Sequence, residues 1–468
     1  MILIDFILLP HYDTNENKGL DLDGQGGLIR MKRLIMNDLI AWKQSKRRKP
    51  LVLRGARQVG KSWILEEFGK TFPNGYVKIN FDKEPEFAQF FQTTKDVRRI
   101  LQNLSMATGK AITTDTLIIF DEIQACEEAL NSLKYFKEDA PEYYVASAGS
   151  LLGLQLSSGF PVGQVDFQEM GPMTFTEFLL ADGSENYVQY LSSINEPVAI
   201  PDAFFSPLTE KLKQYFVTGG MPESVKVWTE DRDPAEVEKV LADIILSYEN
   251  DFGKHAPNED MPKIRYIWQS LPSQLAKENK KFLYSVVRPG ARAREYENAL
   301  NWLNDADIIS KVFRITKPGL PLSGYDDLSA FKVFAVDVGI LRRLSHLSVT
   351  AFAEQMRLFT EFKGALTENF VYQSLIRSFE VPPRYWAEAP HEVDFIIQCE
   401  NDIIPVEAKA GEAVKAASMK RYIKDYDAET SIAVRLSMKN LSYDGKILNV
   451  PLFMIDELKR LISTIERK

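Results

Sequence analysis

Two short stretches carry the residue types that handle phosphate. The first runs from the apolar Leu51-Val-Leu53 into Gly55-Ala-Arg-Gln-Val-Gly-Lys-Ser62, the spacing G-x-x-x-x-G-K-S, and on into a helical pattern from Ser62 to Lys70. Gly55 and Gly60 can adopt backbone angles closed to other residues. The N–H groups of Gly55, Ala56, Arg57, Gln58, Val59, Gly60, Lys61 and Ser62 can therefore turn around an anion at a helix start. In such a loop Lys61 reaches the β- and γ-phosphates and the Ser62 hydroxyl binds Mg²⁺. The second stretch, Thr116-Leu-Ile-Ile-Phe-Asp-Glu122, is an apolar run ending in two carboxylates. It reads as a buried parallel strand. Asp121 would hold the Mg²⁺ shell, and Glu122, one residue further out, would take a proton from an attacking water. ATP and Mg²⁺ are the cofactors this pairing calls for.

A third set of polar residues lies near the C-terminus. Phe362 to Phe379 reads as a helix carrying Glu368, followed by Glu392-Val-Asp-Phe-Ile-Ile397, a turn at Cys399 to Asp402, and Ile403-Ile-Pro-Val-Glu-Ala-Lys409. Residues two apart on a strand share a face, so Glu407 and Lys409 point one way. A turn centred between Glu400 and Asn401 sets Asp394 opposite Glu407. Two like charges so placed cost about 0.2–1 kcal/mol unless a cation separates them, and Mg²⁺ with its oxygen preference is a natural one. A turn shifted by one residue sets Asp394 opposite Lys409 instead, as an ordinary salt bridge.

The elements between these stretches alternate. Met31 to Lys49 has helical apolar spacing, Tyr76 to Phe81 reads as a strand, and Lys83 to Phe91, Asp96 to Thr108 and Ala125 to Glu138 read as helices. Tyr143 to Ala148 and Val162 to Phe167 read as further strands. Strand and helix in alternation predict a doubly wound parallel sheet, an α/β fold whose ligands sit at the carboxyl ends of the strands, where Lys61 and Asp121 fall. Thr174-Phe-Thr-Glu177 has the spacing of a capping box. Asp182 to Pro207, polar and proline-containing, reads as a linker.

Leu208 to Leu344 is mainly helical, with Ala235 to Phe252 as a long helix. The helix Ala293 to Asn304 and the strand Ile308 to Ile315 suit a winged-helix-like arrangement. From Lys263 to Arg294 eight basic residues face one acidic residue, Glu278. Such a patch either lies against phosphates or coats a solvated face.

Several stretches resemble a large family of prokaryotic AAA-type ATPases with a C-terminal domain of unknown function. They are Gly55 to Ser62, Phe120-Asp-Glu-Ile-Gln124, Ala148-Gly-Ser-Leu-Leu-Gly153, Gly219-Gly-Met-Pro-Glu223, Gly290-Ala-Arg-Ala-Arg-Glu-Tyr296 and Glu392-Val-Asp-Phe395. The resemblance runs from about Met31 to the end. It implies an ATPase core, a helical or winged-helix middle and a nuclease-like tail. It also implies that Ser150, beyond the strand ending at Ala148, orients the attacking water, although a helix N-cap is an equal reading. Glu368, Asp394, Glu407 and Lys409 resemble the PD-(D/E)xK nuclease site. By that likeness Asp394 and Glu407 bind the metal, Glu368 supports it, and Lys409 activates water or stabilises the phosphorus centre. An activating arginine is implied too, with Arg57, Arg292 and Arg294 as candidates, supplied in trans by an oligomer or a partner.

The chain has 468 residues and a net charge of −8, which predicts about three domains and excludes a uniformly basic nucleic-acid coat. The expected division is an extension over 1–30, a P-loop ATPase domain over 31–207, a helical or winged-helix-like domain over 208–345, and an α/β restriction-endonuclease-like domain over 346–468. Residues 1–30 read as a disordered appendage or the product of an upstream translation start. Only Cys126 and Cys399 occur, with no zinc-ribbon pairing, which fits a reducing cytoplasm. No apolar run reaches the ~18 residues of a spanning helix, so no membrane partner is expected. The expected function is ATP hydrolysis coupled to DNA through the C-terminal carboxylates. The alternative is a nucleotide-gated switch or interaction module whose nuclease-like domain is silent. A protein-remodelling ATPase is a third class, for which no substrate-pore motif is evident.

Overall fold

A computed structural model of the chain describes residues 31–150, 163–277, 281–349, 360–411 and 417–466. The expectations for residues 1–30, for the start of a strand at Val162 and for Glu278 and Lys280 lie outside these residues.

The first layer is a five-stranded sheet in the order β2-β3-β4-β1-β5. Its strands are Leu51–Arg54 (β1), Tyr76–Asn80 (β2), Leu117–Asp121 (β3), Tyr144–Ala148 (β4) and Asp166–Glu169 (β5). Every pairing is parallel. β3 is buried throughout because helices cover both sheet faces. These include Ile35–Gln44 (α1), Lys61–Gly69 (α2), Val97–Thr108 (α3) and Glu127–Asp139 (α4). Asp96 caps α3 by accepting from Arg98 N and Arg99 N, and Gly109 closes it at φ 66°, a left-handed angle that favours glycine.

Some boundaries differ from the sequence reading. Lys83 to Phe91 is not one helix but a 3₁₀ turn at Pro85–Ala88 followed by a single helical turn at Gln89–Gln92. Pro85, already fixed near helical φ, starts the tight turn. β5 begins only at Asp166. The supposed linker at 182–207 contains the helix Glu185–Ser193 (α6) and the start of Asp202–Thr218 (α7), both after the capped helix Phe175–Ala181 (α5). Pro207 lies within α7, so its presence misleads when taken as a breaker. The capping box at Thr174 and Glu177 forms in both directions.

The middle of the chain contributes helices Pro222–Asp231 (α8), Pro234–His255 (α9), Met261–Leu275 (α10), Ala293–Asp305 (α11) and Val338–Leu344 (α12). Its two strands, Ile309–Ile315 (β6) and Asp326–Ala335 (β7), are not an isolated wing. They join the C-terminal strands in one eight-stranded sheet of order β12-β13-β11-β10-β9-β8-β6-β7. The remaining strands are Arg384–Glu388 (β8), His391–Cys399 (β9), Asp402–Ala408 (β10), Ala433–Ser437 (β11), Ser442–Tyr443 (β12) and Ile447–Pro451 (β13). β6 pairs with β8 through Arg314–Tyr385 and Ile315–Trp386. The expected boundary at 345 therefore falls within a continuous sheet.

Apolar packing also ignores the expected divisions. One cluster unites Leu51, Leu53 and Phe68 of the first sheet with Tyr248, Trp268 and Leu300 of the middle helices. Another unites Phe175, Phe178 and Tyr215 with Phe370, Phe395 and Val450. The long helix Thr360–Ser378 (α13) supplies Leu366, Phe370 and Leu375 to that second cluster. Among the described residues no helix is long and apolar enough to cross a membrane.

Candidate phosphate site and C-terminal carboxylate cluster

β1 ends at Arg54 and the chain turns through Gly55 at φ 137°. Only glycine fits, because a Cβ there would lie 1.9 Å from the Met170 carbonyl oxygen. Gly60, at φ 95°, forms the N-cap of α2. Arg33 braces the loop from outside: Nη1 donates to Val59 O at 2.7 Å, Nη2 to Gly171 O at 2.7 Å, and Nε to Glu177 Oε1 at 3.1 Å. Lys61 is buried, and its Nζ donates to Gly55 O and Ala56 O at 2.7 Å each. Burial pulls its pKa down to about 8, against the fields of Glu122, Asp307 and Asp121. Among the described residues this ammonium is held by the two carbonyls alone, and it can move onto phosphate oxygens.

Ser62 Oγ donates to Asp121 Oδ1 at 2.7 Å. Parallel pairing sets Asn80 beside Asp121, and Asn80 Nδ2 donates to Asp121 Oδ2 at 3.0 Å. Lys78 Nζ lies 2.9 Å from the same oxygen. A hydroxyl and a carboxylate in contact fit Mg²⁺, which takes one or two protein oxygens and keeps several waters. Bound there, the ion would neutralise developing phosphate charge. Glu122 takes a left-handed φ of 49°, an uncommon angle for a side-chain-bearing residue and frequent at functional sites. Its Oε2 accepts from Gln124 Nε2 and, at 3.3 Å, from Ser150 Oγ. Ser147 instead donates to Leu51 O at 3.0 Å within the sheet. Of the two serines, Ser150 is the one at the carboxylate.

The arginine candidates fall elsewhere. Arg57 forms an ion pair with Asp251 of α9. Arg292 precedes α11, and Arg294 lines a surface recess of about 450 Å³ with Lys263 and Arg288. Glu259, Asp260 and Glu295 line the same recess, so this part of the basic run meets carboxylates.

At the C-terminal cluster, β9 and β10 pair with Asp402 opposite Cys399 and Val406 opposite Phe395. That register places Asp394 and Glu407 together. Asp394 Oδ2 accepts from Ala408 N at 2.9 Å, and Lys409 Nζ lies 3.5 Å from Asp394 and 3.4 Å from Glu407. Arg435 Nε reaches Glu407 Oε2 at 3.3 Å. Glu368 of α13 is drawn in through Lys332 of β7. The fully buried Lys332 Nζ lies 3.9 Å from Glu368 Oε2 and 2.5 Å from Glu392 Oε1. Burial opposes the charge on Lys332 and on Lys409. The surrounding carboxylates outweigh it and raise both ammonium pKa values.

All four residues expected here therefore meet, joined by Lys332, Glu392 and Arg435, which sequence reasoning missed. Lys332 stands in the apolar run Phe331-Lys-Val-Phe-Ala335, where a lone amine reads as a solvent face. Glu368, Glu392, Asp394 and Glu407 against Lys332, Lys409 and Arg435 leave one negative charge. A divalent ion would overcompensate it, and among the described residues no group of three or more His, Cys, Asp or Glu is placed to hold a metal. In this arrangement Lys409 and Arg435 already contact the carboxylates that the resemblance assigns to Mg²⁺.

The AAA domain family matches residues 47–179. Two domains of unknown function, DUF8612 and DUF4143, match residues 209–351 and 363–453. No curated protein matches. Among solved structures, the chain is similar to the ORC1 protein of Aeropyrum pernix in complex with DNA, at 12% identity and TM-score 0.30, over 69% of this chain and 92% of that one. AMPPCP-bound DnaA from Aquifex aeolicus is 11% identical at TM-score 0.26, over 58% and 86%. C. elegans PCH-2 is 11% identical at TM-score 0.27, over 43% of this chain and 62% of its own length. These overlaps are too loose to carry fold or function across. The family match and the parallel sheet together make residues 47–179 an AAA-type P-loop domain, the fold of nucleotide-binding ATPases.

Proposed function

We propose that this protein hydrolyses ATP with Mg²⁺ at the P-loop and uses the nucleotide cycle to control a nuclease-like C-terminal module. The observation that carries the reading is the Ser62–Asp121 contact beside a Lys61 held by the Gly55 and Ala56 carbonyls. Lys61 binds the β- and γ-phosphates, and Ser62 with Asp121 holds the metal shell. Glu122 accepts the proton of the attacking water, and Ser150 and Gln124 fix the direction of its carboxylate. Phosphate release by the wild type and by Lys61→Ala tests this. Equal release from both would end the assignment.

DNA is the proposed macromolecular partner, met through the family likeness of the nuclease-like fold and the basic residues of the middle segment. The ion pairing at Asp394 and Glu407 favours the reading in which this module binds without cutting. Lys332, Lys409 and Arg435 already supply the positive charge that a metal would bring. Single-stranded, duplex and branched DNA with Mg²⁺ or Mn²⁺, with and without ATP, should remain intact. Cleavage lost in both Asp394→Ala and Lys409→Ala would instead establish an ATP-coupled nuclease.

A further inference from the structure

Helix α13 carries a polar row that runs from the apolar core out to an exposed arginine. Asn369, Gln373 and Arg377 are spaced four apart and so stand one above another on one face. Asn369 clamps the end of β7, accepting from Ala335 N at 2.8 Å and donating to Ala335 O at 3.1 Å. Gln373 accepts from Val338 N at 2.9 Å and donates to the Tyr215 hydroxyl at 2.7 Å. Tyr215 in turn donates to Met173 O, and Met173 N to Gly220 O. Arg377 ends the row at a cavity of about 60 Å³, room for a few waters but not a nucleotide.

That cavity is where three parts of the chain meet. Its wall includes Gly55 and Ala56 of the P-loop, Glu169 at the end of β5 and Gly171 beyond it, Asp307 before β6, and Arg377. Gly55 and Ala56 are the residues whose carbonyls hold Lys61. The Arg377 guanidinium packs against Gly171, where an added Cβ would fall 1.9 Å from Nη2 and 2.4 Å from Cζ. Glu169 and Asp307 act on Arg377 through their fields, but Glu169 makes its close contact with Arg54, at 2.6 Å. Among the described residues no carboxylate forms an ion pair with Arg377. A guanidinium beside a phosphate loop, without a carboxylate in contact, is a cation available to an anion.

We infer that Arg377 is a nucleotide-sensing residue supplied in cis, through which the long helix of the C-terminal module responds to phosphate charge arriving at Lys61. The inference rests on the P-loop reading above. When Lys61 leaves the carbonyls of Gly55 and Ala56 for phosphate, the cavity wall loses its tether and gains negative charge nearby. Arg377 is drawn toward that charge. Glu368, nine residues earlier on the same helix, lies about 13 Å away along the axis and touches the carboxylate cluster. Phosphate state and cluster are thus linked by one rigid element, and the coupling must be reciprocal.

The test uses the full chain and equilibrium binding of ADP and of a non-hydrolysable ATP analogue, both with Mg²⁺. Arg377→Gln removes the charge. Gly171→Ala keeps the charge but evicts the guanidinium from its seat. Both should weaken the analogue roughly tenfold, in the range of ordinary coupling, and ADP less, so that the preference for triphosphate falls. Arg377→Lys should retain most of that preference. An unchanged preference in both Arg377→Gln and Gly171→Ala overturns the inference, even if both nucleotides bind more weakly, because that is the mark of a structural role. A wild type that binds neither nucleotide overturns the P-loop reading itself.

Discussion

Lys61 and Lys332 are both buried ammonium groups, held in opposite ways. Lys61 rests on two backbone carbonyls, and burial pulls its pKa down to about 8. Lys332 lies among carboxylates that hold its proton more tightly than water would. At the first centre the ammonium rests on backbone carbonyls and is prepared for an anion. The second is close to electrical balance before any ligand arrives. Two groups of the same type therefore mark one site that waits and one that is already occupied by its own side chains.

The comparison can be broken at either centre. The largest effect expected is at the waiting site: Glu122→Gln should lower turnover by about 10²- to 10⁴-fold, the usual worth of a general base. Nucleotide affinity should stay near wild type, and normal phosphate release from this variant would remove Glu122 from its role. Next, Lys332→Ala should cost about 3–5 kcal/mol of stability in urea titration, because it leaves buried carboxylates uncompensated. A small loss would mean that the cluster is not held together by charge.

Lys61→Ala should show the reverse pattern, with stability little changed and nucleotide binding down roughly 10- to 100-fold by calorimetry, as for a lost charge-assisted hydrogen bond. The smallest effect sharpens the contrast through pH. Phosphate binding needs the charged Lys61, whose pKa without ligand is about 8. Affinity should be nearly flat below that pH and fall above it by up to about tenfold per unit, with proton uptake on binding. Flat affinity up to pH 9.5 would show that the ammonium is not the phosphate ligand.

The two centres also differed in how far the sequence revealed them. The phosphate site was legible because its parts are contiguous: a strand, a loop of fixed spacing and a second strand ending in Asp121-Glu122. Asn80 was harder, since only the parallel register of β2 and β3 brings it to Asp121. The C-terminal hairpin was legible as a hairpin but with two registers open, since a one-residue shift of the turn re-pairs every residue beyond it. The pairing of Asp402 with Cys399 selects the one that sets Asp394 beside Glu407. Lys332 and Arg435 were not, because they reach the carboxylates from β7 and β11, strands remote in sequence. Pro207 misled for a related reason: packing of α7 holds the helix together where local propensity would end it. Arg377 left one local trace, the four-residue spacing of Asn369, Gln373 and Arg377 along one face of α13.

The strand pairing between β6 and β8 bears on how such chains can be recombined. A crossover near residue 345, the natural place to exchange one C-terminal module for another, would divide the eight-stranded sheet and strip β6 of β8, leaving it only β7. The fragment left behind would expose a strand edge able to pair with other chains. The transplanted fragment would lack Lys332 and carry Glu368 and Glu392 without their cation. The portable unit therefore begins before β6, and inheritance of the carboxylate cluster requires inheritance of β6 and β7.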